Sequence, residues 1–127
     1  MKRSAVLTQE APRPVGPYSQ AIAVDGWVFV SGQIAIDPVS GGVIVDDIRE
    51  ATRRILRQME AIVREAGGGL DDVVKTTVFL TNMEDFPSMN EVYAEFFKAT
   101  PPARSTVEVA ALPKGATVEI EAIAKVR

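Results

Sequence analysis

The sequence contains no histidine and no cysteine. That removes imidazole acid–base catalysis, thiolate nucleophiles, Ser-His-Asp triads, Cys/His zinc sites and disulfides together. Any reaction must run on Arg, Glu, Asp, Lys, Tyr, Ser or Thr side chains, or on the backbone. Arg104 stands in Pro101-Pro102-Ala103-Arg104-Ser105, where a rigid loop leads into a strand and aims a guanidinium. Such a group holds a carboxylate through two parallel, charge-assisted hydrogen bonds; an ordinary surface arginine is the plainer alternative. Glu119 and Glu121 lie two apart in an alternating segment, so they share one strand face while Val118, Ile120, Ala122 and Ala124 point to the other. A carboxylate is the natural group in this chain to orient and deprotonate water. Spacing alone describes a solvated sheet face equally well.

Three further positions are set by structure-forming neighbours. Tyr18 follows Gly16-Pro17 in a proline-rich loop, where its hydroxyl lines a pocket or only satisfies a nearby carbonyl. Ser31-Gly32 ends an apolar run, and glycine lets a ligand approach the backbone, although a bulge or turn uses the same pair. Asn90 is polar within an apolar-patterned helix and reads by itself as an exposed or capping residue.

The elements that must position these residues follow from periodicity. Residues 11–20 concentrate proline and form an ordered loop or edge segment after a polar lead-in. Ala21–Val24 and Trp27–Val30 flank Asp25-Gly26, the signal of a type I′ hairpin. A third short strand is expected around Gln33–Ile36. From Ile48 to Ala66 the apolar residues recur at three and four, with Asp47 and Glu50 as a capping box and Gly67-Gly68-Gly69 as a stop. This helix reads as packed on a sheet, with no ligand role. A buried strand is expected over Asp72–Leu80, a second helix over Asp85–Lys98 with Pro87 tolerated in its first turn, and strands near Ser105–Ala110 and Thr117–Val126. The expected order is β-β-β-α-β-α-β-β in one α+β domain spanning residues 1–127, with both helices on one sheet face. Trp27, Val28, Phe29 and Val30 are apolar in succession, so both faces of that strand call for burial, which points to self-association.

Composition sets outer bounds. The 46% hydrophobic and 24% charged content is that of a folded globular chain. A net charge of −3 supplies no basic field for a phosphate backbone or an anionic membrane, so neither nucleic acid nor membrane is an expected partner. No apolar stretch has the length of a signal peptide or a membrane span, and the expected location is the cytoplasm.

Taken together, Gly16-Pro17-Tyr18-Ser19-Gln20-Ala21, Ser31-Gly32-Gln33-Ile34, Val74-Lys75-Thr76-Thr77-Val78-Phe79-Leu80, Asn90-Glu91-Val92-Tyr93, Pro102-Ala103-Arg104-Ser105 and Val118-Glu119-Ile120-Glu121-Ala122 resemble the RidA (YjgF) family in order and spacing. The resemblance covers nearly the whole chain. It implies a chorismate-mutase-like fold, a homotrimer with sheets facing inward, and a site in each cleft between subunits. It also implies hydrolytic deamination of 2-iminobutanoate and 2-iminopropanoate to 2-oxo acids and ammonia, without metal or cofactor. By position, Arg104 corresponds to the carboxylate anchor and Glu119 to the water-orienting acid–base group. Tyr18 corresponds to a pocket residue from the neighbouring subunit, while Ser31, Gly32 and Asn90 line the same cleft. Thr106 stands where many members have cysteine, so no thiol is available at that part of the substrate site. Gln58 stands where the family often has asparagine, and is read as structural. The competing reading is a non-catalytic protein that binds 2-oxo acids or related carboxylates through Arg104. A ribonuclease or translation-inhibitor role, also attached to this family, is disfavoured by the acidic balance, the missing histidine and the 6% aromatic content.

Overall fold

The periodic stripe that begins at Ile48 folds as helix α1 (Ile48–Glu65) in the computed structural model, which describes residues 2–127. Met1, the first residue of the polar lead-in, lies outside the described residues. Asp47 caps α1, its carboxylate accepting the Glu50 N–H at 3.0 Å. At the other end Gly67 donates to the Arg64 carbonyl and Gly68 to that of Val63, both at 3.0 Å, which satisfies carbonyls the helix leaves open. Ile55, Leu56, Met59, Ile62 and Val63 are fully buried, each worth about 1.5–3 kcal/mol against exposure.

Six strands form one sheet: β1 (Ser4–Val6), β2 (Ala21–Val24), β3 (Trp27–Ile34), β4 (Val73–Leu80), β5 (Ala103–Glu108) and β6 (Val118–Lys125). Their spatial order is β1-β2-β3-β6-β4-β5, and only the β4–β5 pair is parallel. The crossover between β4 and β5 carries helix α2 (Phe86–Phe96), as a parallel connection requires. Both helices pack on the same face of the sheet. Among the described residues no helix is long and apolar enough to cross a membrane.

The expected string β-β-β-α-β-α-β-β matches the observed one, but one of its first three strands is a different piece of chain. The lead-in is not merely polar coil: Ser4–Val6 pairs antiparallel with Ala21–Ala23 as an edge strand too short to show alternation. The separate strand expected at Gln33–Ile36 is instead largely a continuation of β3, which runs on through Ser31-Gly32 with a bulge between Val30 and Gln33. Asp25 and Gly26 both take positive φ, at 51° and 82°, as a type I′ turn demands. α2 is one residue shorter at its start and two at its end than expected, after a 3-10 turn at Met83–Asp85. β5 starts at Ala103, two residues early, so Arg104 lies in the strand itself.

Alternation divides the sheet sharply. Val28, Val78, Ile120 and Ala124 are fully buried beneath the helices, whereas Trp27 and Phe29, their neighbours on β3, remain 41% and 46% exposed. Val74 on β4 and Val107 on the edge strand β5 are exposed as well. The apolar excess of Trp27–Val30 is therefore real, and half of it has no cover within one chain.

Candidate functional site

Glu119 of β6 pairs with Ile34 of β3 and Phe79 of β4, placing it beside the β3 bulge. Its carboxylate lies directly across Gly32, where a Cβ would collide with Oε2. Any other residue at 32 would displace the carboxylate, which explains why glycine occupies a strand interior. Burial, and secondly the negative charge of Glu121, hold the Glu119 carboxyl above the usual glutamate range. Such a group exchanges a proton more readily near neutral pH.

Ser31, next to that glycine, ties the proline-rich loop to the strand. Its hydroxyl donates to the Ser19 carbonyl at 2.6 Å and its N–H to the Gln20 carbonyl at 2.9 Å. Tyr18 immediately precedes this tether and stays 51% exposed, its hydroxyl accepting the Val15 N–H at 3.4 Å rather than bonding a carbonyl. Tyr18 and Ser31 thus belong to the Glu119 side of the molecule.

Arg104 belongs to the other side. On β5 it pairs with Thr76 of β4, whose side chain is buried under α2 and shares a 2.6 Å hydrogen bond with the Tyr93 hydroxyl. The guanidinium carbon stands 4.6 Å from the Tyr93 ring centre and 5.4 Å from that of Phe86. Stacking fixes the guanidinium while leaving its N–H groups free. Among the described residues no carboxylate pairs with it. Asn90, Tyr93, Phe97, Pro101 and Pro102 join Arg104 around a cavity of about 370 Å³. Burial pushes the Tyr93 phenol up, although the Thr76 hydrogen bond and the Arg104 charge pull it back. Thr106, two residues along the same strand face, buries a hydroxyl that has no hydrogen-bond partner among the described residues.

The register separates these clusters. Thr76 aligns with Arg104, and Phe79, three residues further along β4, aligns with Glu119. An odd offset means opposite faces. Arg104, Asn90 and Thr106 therefore gather on the α2 side, while Glu119, Gly32, Ser31 and Tyr18 gather on or beside the open face. The fold brings the expected residues together as two groups, not one.

A profile described as Endoribonuclease L-PSP matches residues 8–126. The chain belongs to this family, the YjgF/RidA family. It is 51% identical over 124 residues to a RutC family protein of Pyrococcus abyssi, covering 98% of each chain. It is 45% identical over 122 residues to the human protein named 2-iminobutanoate/2-iminopropanoate deaminase, covering 96% of this chain and 89% of that one. Among solved structures, a Rid family protein from Yersinia pestis superposes with a TM-score of 0.94 at 49% identity, covering 98% of this chain and all of the other. The α+β architecture inferred from the strand and helix pattern is that of the Rid family.

In the sequence Phe86 and Tyr93 show only helical spacing within the expected second helix, which does not reveal the aromatic bed of Arg104. The signal was present in Asn90-Glu91-Val92-Tyr93, but the cross-element contact between Tyr93 and Thr76 has no local sequence signature. Gln58 is structural as expected: 1% exposed, it accepts the Ile36 N–H at 3.1 Å and donates to the Ile34 carbonyl at 3.0 Å.

Proposed function

We propose that this YjgF/RidA family protein hydrolyses 2-imino acids such as 2-iminobutanoate and 2-iminopropanoate to 2-oxo acids and ammonia. We further propose a homotrimer whose sites each combine the Arg104 group of one chain with the Glu119 group of another. The observation that carries the activity is Arg104 itself: a stacked guanidinium with no carboxylate partner among the described residues, opening on a small cavity. Its two parallel donors take the substrate carboxylate and fix the neighbouring C=N carbon. Glu119 of the adjoining chain accepts a proton from water as the oxygen attacks that carbon. It returns that proton to nitrogen to give the carbinolamine, then carries the carbinolamine O–H proton to the amino nitrogen, so that the C–N bond breaks and ammonia leaves as the C=O bond forms. The apolar residues left on the open sheet face supply the reason to assemble. Asn90 and Thr106 line the anchor side of the substrate, while Tyr18, Ser31 and Gly32 shape the side that holds water.

The alternative, a binder of 2-oxo acids, uses the same Arg104 contact but saturates without speeding imine decay. Subunit mixing tests the reading directly. Arg104→Ala and Glu119→Gln proteins, each inactive alone, are dissociated, combined in equal amounts and reassembled. Random assembly restores about one quarter of the sites, because each rebuilt site takes its arginine from one chain and its glutamate from another. Imine hydrolysis is followed by loss of semicarbazone trapping. No recovered activity would remove the shared site, and full activity in either single variant would remove that residue's role.

A further inference from the structure

A cavity of about 620 Å³ shares no residue with either group above. α1 forms one wall, and the loops at Gln9–Pro12 and around Ile36 and Pro38 form the others. Two buried glutamines, each 1% exposed, fix these loops from inside. Gln20 accepts the Thr8 N–H at 2.8 Å and donates to the carbonyls of Thr8 and Pro12 at 3.1 and 2.9 Å. Gln58 holds the backbone at Ile34 and Ile36.

The arginines of α1 divide into two kinds. Arg49 pairs with Glu91 at 2.6 Å, Arg53 with Glu50 and Glu95 at 3.3 and 3.5 Å, and Arg64 with Glu60 at 3.5 Å. Arg54 and Arg57 have no carboxylate partner among the described residues, and both line the cavity. They lie three residues apart, hence on neighbouring positions of one helix face. Arg57 is steadied over the Phe96 ring at 5.8 Å, a contact that leaves its N–H groups free. Arg54 buries its Nε–H with no acceptor among the described residues, a rare condition for a buried donor. A chain with 17 acidic side chains and a net charge of −3 has many carboxylates to neutralise arginines. Its two unpaired α1 guanidiniums are instead gathered in one concavity.

We propose that this cavity binds the phosphoryl group of a small phosphorylated metabolite through Arg54 and Arg57. Two forked donors match a dianion with oxygens on several sides, and the cavity leaves room for an organic remainder. Glu10 and Glu60 on its lining disfavour a polyanion such as nucleic acid. Binding here does not depend on imine hydrolysis.

Calorimetric titration of the intact protein at fixed ionic strength, with inorganic phosphate, ribose 5-phosphate and succinate, tests it. Both phosphate compounds bind saturably and succinate at least about tenfold more weakly. Arg54→Gln and Arg57→Gln each weaken ribose 5-phosphate at least about tenfold, while Arg49→Gln on the same helix does not. In the wild-type protein the Arg54 Nε–H NMR signal shifts with phosphate in step with the calorimetric isotherm, a reading independent of whether the variants fold. Absent saturable phosphate binding, equal binding of succinate, or an unmoved Arg54 signal at saturation would each overturn the assignment.

Discussion

The two faces of the sheet are built from alternate residues of the same strands to opposite ends. On the face beneath α1 and α2, Val28, Val78, Ile120 and Ala124 exclude solvent completely, and the polar groups among them, such as Thr76 with Tyr93 and Gln58 with Ile34 and Ile36, hydrogen-bond one another or the backbone. On the open face Trp27, Phe29 and Val107 stay partly wet, and there burial and the charge of Glu121 hold the Glu119 carboxyl above its usual range. The first arrangement stabilises a chain. The second leaves apolar surface and a perturbed carboxylate uncovered on the single chain. Arg104 lies at the margin of the closed face, on the edge strand β5, where it can be approached although Tyr93 beneath it is buried.

The contrast is tested most severely by removing the chemistry that each side contributes. Arg104→Ala and Glu119→Gln each lower kcat/KM for imine hydrolysis by about 10²–10⁴. Only the arginine variant also loses 2-oxobutanoate binding by calorimetry, and Arg104→Lys rescues little because the planar fork is gone. If both variants lost binding equally, the division into anchor and water-activating sides would be wrong.

Next in size are packing changes. Ile120→Ala on the closed face costs about 2–5 kcal/mol in urea unfolding. Phe29→Ser on the open face changes the unfolding free energy of the dissociated chain by less than about 1 kcal/mol. Light scattering then shows a smaller assembled mass for Phe29→Ser alone. Equal destabilisation by the two would mean that the open face is as much a core as the closed one.

The smallest effects concern proton affinity. With its carboxyl held above the ordinary value of 4.5, Glu119 sets an acid limb of the pH–rate profile above that value. Glu121→Gln removes one cause and moves the limb towards lower pH while activity at neutral pH is kept. The linked stability has a definite sign. A carboxyl raised on folding favours the folded chain below its unfolded pKa, and that contribution is lost as pH rises through the folded pKa. Stability of Glu119→Gln therefore falls less between mildly acidic and neutral pH than that of the wild-type protein, a small difference because the side chain is half exposed. An acid limb unmoved by Glu121→Gln would remove the charge coupling.

Several of these features are local and can be read directly from the order of residues. The α1 stripe, the Asp47 cap, the Asp25-Gly26 turn and the alternation of β6 each depend on residues within a few positions of one another, where backbone geometry and side-chain spacing leave few choices. The family motifs extend that reach to the candidate residues Arg104, Glu119, Tyr18, Ser31, Gly32, Asn90 and Thr106. Three things depend on contacts between distant segments. The β3 bulge carries the strand through Ser31-Gly32 because pairing with β6 continues on both sides of it. Strand β1 exists because β2 offers an open edge, a fact absent from Ser4-Ala5-Val6 itself. The assignment of Arg104 and Glu119 to opposite faces follows from their registers against β4, three residues apart. Short-range propensity determined both helices and most of the strands; the tertiary structure decided β1, the extent of β3 and which side of the sheet each functional group occupies, because a one-residue change of register reverses every side chain.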